Sequence, residues 1–311
     1  MLIPLLAAGF AVAMPWDSPK PPPEGTQLIL TEPGFPDPPP EGSVIDIPGE
    51  HELPRNWRST GKADPKIKGN AGLNTLMASG SGQFCRNQFY AIQAALRGHR
   101  VAVIDLRQEP HVFLNGAAVA WGPPDLVGFD RSAHEVERVE RVWMQHLDAG
   151  KFTTATQYAP GALADQSTWE PIELKIDIRD AVTEYQLVRE ARWGYFRIAA
   201  PDSVLPRDAD IDRFVDLVRN LDGDIWLHFH CDTGGRRTSL YLALYDMMRN
   251  YVNVPRPEII ARQRRLGGTN LLAGPDGSAR GRFLARFFNY CWECGPLFRR
   301  NWSSWSRKNP E

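Results

Sequence analysis

Two stretches of the chain are apolar enough, and short enough, to be strands covered on both faces. Val101–Leu106 reads VAVIDL and Ile225–His230 reads IWLHFH, the pattern of buried strands in a parallel or mixed sheet. Gly194–Ile198 is a weaker third strand. From Asp208 to Leu221 the side chains Ile211, Phe214, Val215, Val218 and Leu221 recur at three- and four-residue spacing behind aspartates placed to cap, which predicts an amphipathic helix. The same spacing predicts helices over 133–146, 180–192, 238–252, 257–266 and 279–290. Strands alternating with helices in this way indicate an α/β layered domain.

The N-terminus reads differently. Met1–Ala13 is MLIPLLAAGFAVA, too short to span a bilayer and closed by an A-x-A triplet. It is expected to be a signal peptide, though without a basic n-region, and the protein to be periplasmic or secreted. Residues 14–50 form a proline-rich arm: positions 15–54 hold 12 of the 26 prolines, and proline supplies no backbone donor for a helix or a ladder. That arm is either an extended tether or a strap laid over the domain. One globular domain is expected over 51–300, with 301–311 as a C-terminal tail.

With 311 residues, 42% of them hydrophobic, the chain can bury a large core. Its 36 basic and 37 acidic residues leave a formal charge of -1, which argues against a dedicated nucleic-acid binder, and no apolar run reaches membrane-spanning length. The charge is uneven. Cys231–Glu311 holds 14 basic against 6 acidic residues, so an anionic ligand finds its counter-charge in the last quarter of the chain.

The chemistry is concentrated in His230, Cys231, Asp232, Thr233, Gly234, Gly235, Arg236, Arg237 and Thr238, where a buried strand ends and a helix begins. Backbone N–H groups of a glycine-bearing turn converge there, and the helix N-terminus adds its positive end, so the turn can hold an oxyanion. The same surroundings stabilise a thiolate at Cys231. Arg237 can grip two phosphoryl oxygens with its planar fork, and the Thr238 hydroxyl can donate to the sulfur when it leaves. The pattern H-C-x-x-G-x-x-R-T resembles the signature loop of the protein tyrosine phosphatase superfamily. In that superfamily an Asp on an upstream loop protonates the leaving group, and Asp202, 29 residues before Cys231, occupies its place.

The resemblance extends to Leu53–Arg58, Ala78–Phe84, Asp105–Glu109 with His111 and Asn115-Gly116, and Ile259–Gln263 with Gly267-Gly268, all in one order over roughly residues 50–292. Together they are similar to the bacterial protein-tyrosine-phosphatase-like inositol polyphosphate phosphatases, the cysteine phytases. The likeness implies a PTP-like fold, a central mixed sheet flanked by helices with a small partial β-barrel subdomain. It also implies stepwise removal of phosphates from inositol hexakisphosphate through a phosphocysteine, without metal or other cofactor. Arg58 and Arg107 fall in its motifs and are candidates for contacts to neighbouring phosphates, and Arg262, Arg264, Arg265, Arg280 and Arg282 supply a basic surface. Family loops read more like H-C-E-A-G-x-G-R-T, so Asp232 and Arg236 depart from the pattern. A protein-tyrosine, dual-specificity or phosphoinositide phosphatase remains the alternative. The expected partner is a small polyanion, with neither nucleic acid nor membrane.

Cys291 and Cys294 form a lone C-x-x-C with no second pair to complete a zinc site; they are either a disulfide or two thiols. His228 and His230 alternate on the strand that leads to Cys231, and His230 is read as ordering the loop through hydrogen bonds rather than as a metal ligand.

Overall fold

A computed structural model describes residues 30–33, 52–62, 69–121, 131–145, 147, 152–158, 172–201, 205–222 and 224–310. In chain order its strands are β1 (Leu30–Pro33), β2 (Arg58–Ser59), β3 (Ala78–Ser81), β4 (Arg100–Arg107), β5 (His111–Leu114), β6 (Ala117–Trp121), β7 (Phe152–Tyr158), β8 (Ile172–Asp177), β9 (Ala181–Thr183), β10 (Gly194–Ala200) and β11 (Ile225–His230). The helices are α1 (Arg86–Ala95), α2 (Ala133–Met144), α3 (Glu184–Glu190), α4 (Asp208–Arg219), α5 (Arg236–Asn250), α6 (Arg256–Arg265), α7 (Gly277–Cys294) and α8 (Trp302–Lys308).

The three strands expected from apolar runs are neighbours in one sheet of order β10-β4-β11-β3-β2. β11 runs parallel to both β3 and β4, and β10 runs parallel to β4. Their carboxyl ends therefore open on one edge, the edge where open α/β sheets bind ligands. α5 leaves that edge and passes through the core, with Leu240–Met248 buried on every side. It packs on β3 and β11 and against α6 and α7. The apolar face of α4 buries Ile211, Phe214, Val215 and Val218 in the same core.

A second sheet of order β8-β7-β1-β6-β5-β9 is antiparallel except for the β1–β7 pair. It is joined to the first sheet through the short Gln108–Pro110 link between β4 and β5 and through Phe84, Phe89, Phe113, Leu187 and Trp226, which share one apolar cluster. Each fully buried aromatic there contributes about 2–3 kcal/mol of burial free energy. This mixed α/β architecture is the fold class the motifs implied.

Two expectations are corrected, and an open alternative is decided for four residues. The helix expected over 180–192 begins only at Glu184, because Ala181–Thr183 pairs antiparallel with β5 and the Thr183 side chain caps the N-terminus of α3. The expected C-terminal tail carries α8, whose Trp302 and Trp305 are 1% and 2% exposed and pack with Phe287 and Tyr290. Trp302 also donates to Asp208 at 2.6 Å, tying α8 to α4. Within the proline-rich arm, Leu30–Pro33 is a ladder strand between β6 and β7, so those four residues are not a tether. The signal-peptide stretch 1–13 lies outside the described residues.

Candidate active site

The loop between β11 and α5 is clamped from outside by one segment. Three successive loop carbonyls accept hydrogen bonds from it: Asp232 O from Arg55 Nη2 at 3.1 Å, Thr233 O from Asn56 Nδ2 at 2.8 Å, and Gly234 O from Arg58 Nη1 at 2.9 Å. Gln83 N–H adds a second bond to Asp232 O at 2.8 Å. Because a trans peptide points its C=O and the next N–H in opposite directions, this turns the amides of Thr233 and Gly234 into the loop. Gly234 has φ +71° and packs so closely that a Cβ would lie 2.4 Å from Gly82 N. No other residue fits there.

Cys231 begins this loop and is 1% exposed, whereas Thr233 and Arg236 further along it are exposed. Thr238 Oγ1 donates to its sulfur at 3.1 Å. Arg58 is close enough to sense the sulfur. Burial lowers its pKa to about 10, and the Cys231 charge works against that fall.

Arg237 is buried, and its Nη1 donates to both carboxylate oxygens of Glu109 at 3.0 Å, with Ala200 O at 3.4 Å. Burial would raise the pKa of Glu109, but Arg237 and Arg107 hold it down at about 2. Glu109 therefore holds the Nη1 end of the loop arginine as a carboxylate. In the sequence Glu109 stands in a family motif with no role of its own assigned; its i+2 spacing from Arg107 is the only local signal.

Below the loop the two sheets meet in a buried ionic cluster. His230 Nε2 donates to Glu184 Oε1 at 2.6 Å, and His111 Nε2 to Glu184 Oε2 at 3.0 Å. His111 Nδ1 faces the Glu109 carbonyl at 3.0 Å. Both ring nitrogens thus face acceptors, so His111 is an imidazolium. Burial and Arg107 oppose that charge, yet Asp105 and Glu184 raise the His111 pKa above its ordinary value. Asp105 is likewise lowered against its burial, chiefly by Arg197 at 2.5 Å. Arg197 also reaches Glu140 at 2.8 Å. The hydrogen bond of the His230 ring thus goes to Glu184 and not to the loop. Asp105, His111 and Glu184 offer ligand atoms within 4.8 Å of one another, but these atoms already serve Arg197, His230 and each other.

His228 is buried and neutral, its pKa lowered to about 3 by burial and by His230. Trp226 donates to Ser79 at 2.9 Å, and Ser81 donates to Gly82 O at 2.7 Å. Ser79 is then the donor to His228 Nδ1 at 3.0 Å, and His228 Nε2 the donor to Ser81 at 3.2 Å. This fixes the tautomer.

The candidate arginines divide. Arg58 and Arg107 are 4% and 2% exposed and act as supports, Arg58 on Gly234 O and Ser239 and Arg107 on Gln83 and Glu109. Arg262 is corrected outright: it is 0% exposed, paired with Asp246, and donates to Gly69 O and Ala71 O. A charge so enclosed is structural. Arg280 is also buried, donating to Leu271 O and Ala273 O. Arg236, Arg264, Arg265 and Arg282 are exposed, Arg265 pairing with Glu258 and Arg236 standing 4.0 Å from Asp276. Asp202 lies outside the described residues. Cys291 and Cys294 are free, and burial and Cys294 raise the Cys291 thiol well above its ordinary pKa.

A sequence model of the PTP-like phytase family, described by inositol hexakisphosphate, matches residues 104–249. The effector protein hopD2 of Pseudomonas syringae pv. tomato is 27% identical over 270 residues, covering 83% of this chain and 54% of that protein. The uncharacterized protein AvrBs1.1 of Xanthomonas campestris pv. campestris is 31% identical over 103 residues, 30% of this chain and 99% of that protein. Among solved structures, the PTP-like myo-inositol phosphatase from Mitsuokella multacida, in complex with myo-inositol-(1,3,4,5)-tetrakisphosphate, has a TM-score of 0.73 at 29% identity, covering 94% of this chain and 50% of that one. A PTP-like phytase from Bdellovibrio bacteriovorus has a TM-score of 0.66 at 25% identity, covering 94% and 98%. The chain thus spans about half the length of the Pseudomonas and Mitsuokella proteins. The family match runs from β4 through the signature loop into α5, and the likeness of fold to PTP-like inositol phosphatases extends over nearly all of the chain.

Proposed function

We propose that this protein is a metal-independent phosphomonoesterase that removes phosphates stepwise from inositol hexakisphosphate and other inositol polyphosphates. Cys231 attacks phosphorus and the leaving alkoxide takes a proton from Asp202. Water, deprotonated by the same Asp202, then hydrolyses the phosphocysteine. Arg237 and the loop amides hold the equatorial oxygens, and Thr238 stabilises the departing thiolate. The observation that carries the reading is the Cys231 sulfur, 3.1 Å from Thr238 Oγ1, at the start of a loop whose next three carbonyls accept from Arg55, Asn56 and Arg58.

Two further observations support a polyphosphate substrate: the exposed arginines 236, 264, 265 and 282 in the segment that follows Cys231, and the inositol tetrakisphosphate held by the Mitsuokella relative. The test is phosphate release from inositol hexakisphosphate with chelator present. The wild type is expected to release phosphate and Cys231→Ser to release none; full activity in that variant would remove Cys231 as nucleophile. We also propose export to the periplasm or beyond, supported by the apolar N-terminus and by a relative named as an effector; cell fractionation tests it. Among the described residues no helix is long and apolar enough to cross a membrane.

A further inference from the structure

We infer that Gln83 is a positioning residue that locks the nucleophile side of the loop to its arginine side, an assignment that rests on the phosphatase reading above. Gln83 follows β3 and bonds three ways. Its backbone N–H donates to Asp232 O at 2.8 Å, next to Cys231. Its side-chain NH2 donates to Glu184 Oε2 at 2.9 Å, the carboxylate that holds His230, with Phe84 O at 3.4 Å. Its side-chain oxygen accepts from Arg107 Nη1 at 2.9 Å, and Arg107 pairs with Glu109, which holds Arg237. A continuous set of contacts thus runs from His230, beside the sulfur, through Glu184, Gln83, Arg107 and Glu109 to Arg237.

The chemistry requires an amide. Glu184 only accepts and Arg107 only donates, so the group between them must offer N–H on one side and a carbonyl on the other. A hydrocarbon leaves both ions short of a partner. A carboxylate still serves Arg107 but is repelled by Glu184. A protonated carboxyl meets both needs, its O–H toward Glu184 and its C=O toward Arg107. The charged and titratable groups around this position are Glu184, Arg107, Glu109, His230, His111 and Asp105, with Asp232 and its partner Arg55 on the loop side.

The experiment measures kcat/KM for p-nitrophenyl phosphate against pH, with melting temperatures, for the wild type, Gln83→Met and Gln83→Glu. Gln83→Met is expected to lose about 10- to 100-fold at every pH, the scale of a misplaced catalytic group. For Gln83→Glu, the ratio to wild type is expected to be low at neutral pH and to recover at least tenfold as acid protonates the introduced carboxyl. A purely structural residue would not produce that recovery. A folded Gln83→Met within threefold of wild type, or a flat Gln83→Glu ratio, would overturn the inference. Should Gln83→Met not fold, the Gln83→Glu ratio decides alone. A wild type without turnover on any phosphomonoester would instead overturn the phosphatase reading.

Discussion

Gly234→Ala adds a single methyl group to the loop, and the structure sets its cost. The backbone there has φ +71°, and the new Cβ would lie 2.4 Å from Gly82 N, 2.5 Å from Ser81 C and 2.7 Å from Ser81 O. All three are backbone atoms at the end of β3, so no side chain can swing aside. Ordinary contact begins near 3.4 Å, so the loop and β3 must part by about 1 Å. The left-handed backbone costs about 1–2 kcal/mol and the overlap about 1–3 kcal/mol more, a total of about 2–5 kcal/mol. If the loop moves instead, a shift of that size lowers turnover by about 100-fold. Gly98→Ala separates the two contributions, because Gly98 has φ +88° but nothing within 4 Å of its Cβ position. It is expected to lose only about 1–2 kcal/mol and to keep full activity. Urea denaturation and kcat/KM for p-nitrophenyl phosphate measure both effects. If Gly234→Ala matched Gly98→Ala in stability and turnover, the close contact between the loop and β3 would be wrong.

Two further outcomes are expected. Glu109→Gln should lower kcat/KM by roughly tenfold, because Arg237 loses the carboxylate that holds its Nη1. Since the Glu109 pKa is held near 2, below its ordinary value of 4.5, its ionic contribution is complete above pH 4.5 and fades as the pH falls toward 2. Melting curves of wild type and variant should therefore differ most above pH 4.5 and converge in acid, and parallel curves would refute the pairing. His228, with its pKa near 3 against an ordinary 6.5, takes up no proton in the fold where the unfolded chain does. Stability should therefore drop between pH 6.5 and 3 by up to about 1.4 kcal/mol per pH unit. His228→Gln should flatten that slope in urea titrations at stepped pH; an unchanged slope would mean His228 is not the group responsible.

Elements with strong local signals were legible in the residues. The apolar runs became β4 and β11, and the spacing from Asp208 became α4. α5 starts at Arg236 rather than Thr238 because the loop itself curls into the first helical turn. Ala181–Thr183 was misread since a three-residue strand is defined by its partner, β5, nearly seventy positions away. The nucleophile loop was legible because its chemistry is contiguous. Its supports were not: Glu184 meets His230 across 46 residues, and Gln83 meets Glu184 across 101. Arg262 misled for a related reason. An arginine on a helix is normally solvated, and the aspartate that buries this one sits 16 residues back on another helix.

The clamp on the loop comes from Arg55, Asn56 and Arg58, some 177 positions before the carbonyls they hold. During synthesis the sulfur-bearing strand leaves the ribosome long after its clamp, and neither alone forms the anion cradle. The arrangement of the loop is therefore a product of tertiary folding, and a fragment that keeps the cysteine but lacks residues 55–58 leaves the carbonyls of Asp232, Thr233 and Gly234 without these donors.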